Sequence, residues 1–253
     1  LPGEAYAILK LPQEKVRSKL QSCAIPCALS EENGWTKMLI QGKAAHAAFP
    51  EGSVHAQERL ARLLCASGLL DVQAEEAMRG VTAFLEDYYG TGLGIAFETP
   101  EFGKLTMACG IARLENNRFN MVFDVRYPAG LNTQVTRKTV EQRLGAYGFA
   151  IDRWLDSKGY YIDPNLPVIQ KMKAICEHVW AREFPLYVMG GGTYARKMPN
   201  AVPFGPGLPR VSEEGSCGRG ACHQPDEAID LDVLRKAIEI YALTLPMLDR
   251  WSD

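Results

Sequence analysis

The chain has 253 residues, 47% apolar and 23% charged, and its 28 lysines and arginines nearly balance 30 aspartates and glutamates to leave a net charge of −2. That profile excludes a disordered chain and offers no basic block for nucleic acid or an anionic membrane, while leaving apolar content for one large or two medium domains. No window approaches the roughly 18 uncharged apolar residues a membrane span needs. No export signal is visible, and the seven scattered cysteines, an odd number, read as reduced thiols of a cytoplasmic protein rather than as a disulfide framework.

In chain order, Glu4 to Leu11 reads as a strand, Gln13 to Gln21 as a short helix, and Thr36 to Ala45 as a second strand with Gly42 near its end. His55 to Leu70 has helical period through Leu60, Leu63 and Leu64, and Ala74 to Tyr89 has it through Met78, Val81, Phe84 and Leu85. Lys104 to Leu114 and Arg118 to Arg126 form a hairpin across Glu115-Asn116-Asn117, because asparagine tolerates left-handed turn geometry. Thr133 to Tyr147 is a helix and Phe149 to Lys158 a strand. This order predicts a two-layer α/β sandwich over residues 1–156, built from two related halves at about 1–72 and 104–156. The run from Lys158 to Pro167, broken by one glycine and two prolines, is the boundary to a second domain at 157–253. There, Val168 to Glu183 reads as a helix, Leu186 to Gly192 and Ala201 to Phe204 as short strands, and Leu231 to Leu248 as a closing helix.

Four segments could carry chemistry. Gly42-Lys43-Ala44-Ala45-His46-Ala47-Ala48-Phe49-Pro50-Glu51-Gly52 sets a histidine among small residues that leave its ring uncovered, although a capped core histidine is the plainer reading. Asp124-Val125-Arg126-Tyr127-Pro128 ends a strand with an arginine whose planar fork suits a carboxylate, or else makes a surface ion pair. Gly190-Gly191-Gly192-Thr193-Tyr194-Ala195-Arg196 lets backbone approach an anionic or carbonyl ligand, but matches neither a phosphate loop nor a dinucleotide fingerprint. His223-Gln224-Pro225-Asp226-Glu227 places a histidine where a metal ligand could be held, or where one is merely solvated. Cys23-x3-Cys27 and Cys217-x4-Cys222 lack zinc-knuckle spacing, and Cys222 beside His223 is a poor nucleophile and base pair because sequence neighbours point apart.

Taken together and in this order, the four motifs resemble the zinc dipeptidases of the carnosinase, aminoacylase and carboxypeptidase G superfamily, with the bacterial Xaa-His, carnosine-type branch most similar. The resemblance runs from the first residues to the last helix. It implies a lid domain at 1–156 followed by the C-terminal part of an α/β metallopeptidase catalytic domain. It further implies that His223 is a metal ligand, that His46 hydrogen-bonds the tetrahedral oxyanion, that Arg126 holds the substrate's C-terminal carboxylate, and that Gly191, Gly192 and Thr193 line the substrate cleft with Arg196 nearby. Two zinc ions serve such an enzyme, activating a water that a carboxylate deprotonates.

The family's remaining ligands and its general base belong to a His-x-Asp strand end and a Glu-Glu pair ahead of the lid. None of His46, His55, His178 and His223 is followed two residues later by aspartate, and Glu213-Glu214 sits in a glycine-rich loop after the lid. The expectation is therefore a fragment of a dipeptidase whose N-terminal catalytic half is missing, inactive and unable to hold zinc by itself, self-associating alone and monomeric when complete. Its partners would be a dipeptide and that missing half, with no nucleic acid and no membrane. The reading from another class is a non-catalytic, lid-like association module.

Overall fold

The computed structural model describes residues 2–45, 47–48, 50–157, 159–188, 190–199, 201–205 and 228–251. The chain divides into two compact units, Leu1–Gly159 and Tyr160–Asp253.

The first unit begins with β1 (Glu4–Leu9), α1 (Gln13–Leu20), β2 (Ala28–Glu32) and β3 (Trp35–Gln41), whose strands form an antiparallel sheet in the order β1-β3-β2. Asn33 and Gly34 both have positive φ, the geometry that closes a two-residue hairpin, and they join β2 to β3 at the Glu32 and Trp35 pair. Strand β3 alternates strictly, burying Thr36, Met38 and Ile40. Onto that face α2 (Ala56–Ser67) lays Leu60, Leu63 and Leu64, and α1 adds Val16, so the sheet and both helices share one core. The sequence reading carries this strand to Ala45, but the ladder stops at Gln41. Gly42 N–H turns to the Gly3 carbonyl at 2.8 Å, and a β-carbon on Gly42 would stand 2.4 Å from the Val54 carbonyl oxygen. Only glycine permits that approach.

Helix α3 (Val72–Phe84) starts at Asp71, whose carboxylate accepts from Ala74 N–H at 2.8 Å. After the short ladder of β4 (Glu98–Thr99) and β5 (Gly103–Lys104) come β6 (Thr106–Glu115) and β7 (Arg118–Arg126), a hairpin turned by Asn116 and Asn117 at φ 51° and 59°. The pairing register shifts between Cys109 and Ile111, which leaves Gly110 as a bulge in β6. Helix α4 (Thr133–Gly145) is capped by the Asn132 side chain, which accepts from Gln134 and Val135 N–H. It supplies Val140 and Leu144 to a second core with Phe84, Leu93, Ile95, Leu105 and Met107, while Ala61, Val81, Leu85 and Cys109 join α2, α3 and β6.

The strand expected over Phe149 to Lys158 is absent among the described residues, because β6 and β7 pair only with each other. Phe149, Ile151 and Trp154 still pack on the core, with Phe149 edge-on to Phe84 at 5.4 Å. Their spacing records burial, which an irregular segment satisfies as well as a strand does.

The second unit contains α5 (Pro167–Trp180), a 3₁₀ turn at Tyr194–Lys197 and α6 (Leu231–Asp249). Proline opens α5 at the one turn where its missing N–H costs nothing, and the Asp230 carboxylate caps α6 by accepting from Asp232 N–H at 2.7 Å. Cys176, Phe184 and Ile240 form its small core. The strands expected at Leu186–Gly192 and Ala201–Phe204 are not formed among the described residues. An isolated strand leaves its backbone groups without a ladder, and the described residues of this unit provide no neighbour for one. The α/β class read from the sequence holds through the first unit's two layers.

Candidate functional site

Lys43 and Val54 exchange both backbone hydrogen bonds, at 3.1 and 3.0 Å, and so close a loop of residues 44–53 at its base. His46 belongs to this loop by sequence and lies outside the described residues. Below the base, His55 precedes α2 and stacks on Tyr88 with ring centroids 4.4 Å apart. On the loop itself Glu51 Oε1 accepts from Tyr89 Oη at 3.0 Å. Lys104 Nζ stands 5.0 Å from the centre of the Tyr89 ring.

The Tyr88-Tyr89 segment is itself fixed. Asp87 accepts from the N–H of Tyr89 at 2.9 Å and of Thr91 at 3.2 Å, and from the Thr91 hydroxyl. Burial pushes the Asp87 carboxyl upward, but these hydrogen bonds outweigh it and hold the group below the ordinary carboxylate range. Tyr88 carbonyl accepts from Met107 N–H at 2.7 Å, next to Thr106, the residue paired with Arg126 at the end of the hairpin.

Arg126 is the last residue of β7, and its side chain is 24% exposed. Its Nη2 donates to Asp124 Oδ2 at 2.9 Å, two residues back on the same face of the strand. Tyr127 then anchors the chain: its hydroxyl donates to Asp156 and approaches the Ser157 carbonyl at 3.2 Å. Burial, reinforced by the Asp156 carboxylate, pushes the Tyr127 phenol up to about 12. Among the described residues, the flanks of the His46 loop and the strand end bearing Arg126 thus meet through Tyr88 and Met107.

His55 is 8% exposed, and neither ring nitrogen has a hydrogen-bond partner among the described residues. Burial, partly countered by Asp87, lowers its pKa to about 4 from an ordinary value near 6.5. The unfolded chain therefore binds more protons between these two values, so stability falls as pH drops through that window, by on the order of 2 kcal/mol. Urea unfolding at about pH 7.5 and about pH 4.5 should show a smaller pH loss in His55→Phe than in the unaltered chain. Equal losses in both would show that His55 is not the group responsible.

The glycine segment differs from its sequence reading. Leu186, Tyr187 and Val188 are 41%, 56% and 46% exposed rather than part of a buried strand, and Gly191, Gly192 and Thr193 lie open to solvent. Thr193 precedes the 3₁₀ turn without capping it through its side chain. The turn carries Arg196 back over Gly192, where an added β-carbon would meet the guanidinium carbon at 2.9 Å. Gly192 and Arg196 are therefore brought together, and the close backbone approach that glycine permits here is used by the chain's own arginine.

Among the described residues no group of three or more His, Cys, Asp or Glu side chains could hold a metal ion. His223, Glu213, Glu214, Cys217 and Cys222 lie outside the described residues. Cys23, Cys27, Cys65, Cys109 and Cys176 are free thiols, and burial raises the pKa of Cys109 to about 11, which makes it inert. The described residues alone do not fit a metal centre.

Sequence reading missed Glu51, Tyr89, Tyr88 and His55 as partners. The aromatic doublet and the Pro-Glu-Gly run were visible signals, but Glu51 and Tyr89 stand 38 positions apart, and no periodicity links residues across that distance.

A family model described as peptidase family M20/M25/M40 matches residues 11–246. "Putative dipeptidase YtjP" of Bacillus subtilis (strain 168) is 29% identical over 248 residues, covering 96% of this chain and 51% of that protein. "Putative dipeptidase MW1694" of Staphylococcus aureus (strain MW2) is 27% identical over 212 residues, covering 83% of this chain and 44% of that protein. The chain thus spans about half the length of the curated relatives it matches. Peptidases of this family are generally metal-dependent. With the match extending from α1 into α6, the chain belongs to peptidase family M20/M25/M40.

Proposed function

We propose that this chain is the substrate-clamping part of a cytoplasmic dipeptidase with a free-carboxylate preference, whose zinc centre is completed by residues outside these 253. The observation that carries the reading is the connection of His55, just after the loop that contains His46 by sequence, to the Arg126 strand end through Tyr88 and Met107, in a chain of a peptidase family. Residues 1–156 act as the lid and 157–253 as the C-terminal part of the catalytic domain. Arg126 holds the substrate's terminal carboxylate, His46 donates to the oxyanion as the peptide carbonyl becomes tetrahedral, Gly191, Gly192 and Thr193 border the cleft, with Arg196 beside them, and His223 contributes one metal ligand. The bacterial Xaa-His, carnosine-type branch is the one its motifs resemble most.

Two features support a division of labour between this chain and sequence beyond it. The chain spans about half the length of the curated relatives it matches, and a stable zinc site takes three or four protein ligands. Helix α6 also leaves Leu231, Ile238 and Leu245 at 73%, 63% and 62% exposure, an apolar face that further catalytic-domain residues would cover; alone, it would promote self-association, whereas the complete enzyme is a monomer.

The test is calorimetric and kinetic. The 253-residue chain should bind zinc no tighter than micromolar and release no amino acids from dipeptides, whereas the full-length protein should do both, and His223→Ala in it should weaken zinc uptake at least tenfold. Sub-micromolar zinc binding by the 253-residue chain, abolished by Glu213→Ala or Cys222→Ala, would overturn the shared metal centre in favour of a self-contained one.

A further inference from the structure

We propose that Asp124 is a specificity-determining residue, favouring dipeptides whose C-terminal residue carries a basic side chain over those in which that side chain is neutral or acidic. The inference rests on the dipeptidase reading above and adds to it the charge class of the residue seated on Arg126.

Strand β7 alternates, so Asn120, Val122, Asp124 and Arg126 stand on one face while Phe119, Met121, Phe123 and Val125 pack on the core. Asp124 and Arg126 are neighbours on their face, about 7 Å apart along the strand. Their side chains lean together, Arg126 Nη2 donating to Asp124 Oδ2 at 2.9 Å. The acid is the more open partner, 53% exposed against 24% for the arginine.

One oxygen is enough to aim the arginine. The other, Asp124 Oδ1, accepts no hydrogen bond among the described residues, and no second cation among them pairs with this carboxylate. The neighbours explain why. Across the ladder Asp124 faces Ala108 and Arg126 faces Thr106, both short and uncharged, and on the side away from Arg126 the next residue of the face is Val122, exposed and uncharged.

A substrate seated by its carboxylate on the guanidinium therefore has an open anion beside it. Lysine and arginine carry their charge at the end of a flexible stem, and such a stem spans the distance from the residue's own carboxylate to Asp124. The pair then acts as two poles, Arg126 taking the carboxylate and Asp124 the side-chain cation. A neutral side chain of the same length gains nothing from Asp124, and an acidic one is repelled. A contact so open to water is weak, which bounds each discrimination at about fivefold.

The experiment compares kcat/KM of the full-length protein for dipeptides that share an N-terminal residue and end in lysine, norleucine or glutamate, each with a free carboxylate. Lysine should be favoured over norleucine, and norleucine over glutamate, by about fivefold each, and both preferences should shrink as salt rises. Asp124→Asn keeps the shape without the charge and should erase the lysine preference, whereas Asp124→Glu keeps the charge and should retain the order. A residue that only aims Arg126 would shift all three substrates by one factor, so an unchanged lysine to norleucine ratio in Asp124→Asn would overturn the proposal, as would equal values for the two in the unaltered protein. Matched C-terminal amides separate this failure from that of the clamp itself. A clear preference for acids with none for lysine would sink the role of Asp124 alone, while equal rates on acids and amides, or no hydrolysis of any dipeptide, would sink the reading beneath it.

Discussion

His46→Ala in the full-length protein is expected to lower kcat for dipeptides by about a hundredfold or more, the usual scale for losing one oxyanion donor. The expectation follows from where the residue lies in the chain. Its loop projects from the base formed by Lys43 and Val54, beyond the point where β3 ends, and its neighbours Ala44, Ala45, Ala47 and Ala48 have no side chain long enough to substitute. A donor to the tetrahedral oxygen acts only as charge develops there, so KM should change little while kcat falls. His46→Gln retains an N–H donor at similar reach, uncharged and less rigidly held, and should recover part of the loss. A rise in KM with kcat intact would mark His46 as a ground-state contact instead. Thermal unfolding should be nearly unaffected, since the cores built from Met38, Ile40 and Leu63, and from Phe84, Leu105 and Met107, contain no described residue of this loop.

Much of the first unit was legible because its signals are local. Asn116 and Asn117 announce the β6 to β7 turn, and the leucines of α2 repeat at helical period and are buried as that period requires. Strand β2 was missed because Ala28-Leu29-Ser30-Glu31-Glu32 is an edge strand with little apolar content to bury. Phe149 and Leu186 misled in opposite ways. The apolar run from Phe149 fills the core without pairing, while the run from Leu186 is neither paired nor buried. At the candidate site, Arg126 is visible from sequence as the end of the alternating strand marked by Phe119, Met121, Phe123 and Val125. The closeness of Arg196 to Gly192 is not, since it depends on a 3₁₀ turn that four residues, Tyr194 to Lys197, give no strong reason to expect. The hydrogen bond from Tyr89 to Glu51 was illegible for a more general reason: it joins two irregular segments, and only tertiary packing decides which such segments meet.

Arg126→Ala should raise KM for dipeptides with a free C-terminal carboxylate by roughly a hundredfold, while the corresponding C-terminal amides, poor substrates from the outset, lose little more. The guanidinium has the means to tell them apart. It is always charged, presents parallel N–H groups that match both oxygens of a carboxylate, and gains much less from a neutral amide. Asp124 already occupies Nη2 at 2.9 Å. That carboxylate is 53% exposed, and an ion pair so open to water contributes little to folding, on the order of 0–1 kcal/mol, so the alanine variant should remain folded. The pairing has a second consequence for the substrate. Asp124 partly neutralises the arginine and orients it, so Asp124→Asn should leave more positive charge for the incoming carboxylate and lower KM for acids relative to amides. Arg126→Lys, which keeps the charge but not the planar fork, should fall between the unaltered protein and Arg126→Ala. The measurement is KM for matched acid and amide substrates in each variant, and equal losses on both would remove Arg126 from carboxylate recognition. The anchor immediately after it, Tyr127 on Asp156 and Ser157, is untouched by these substitutions, so the strand end keeps its place and any change in the ratio of acid to amide belongs to the side chain at position 126.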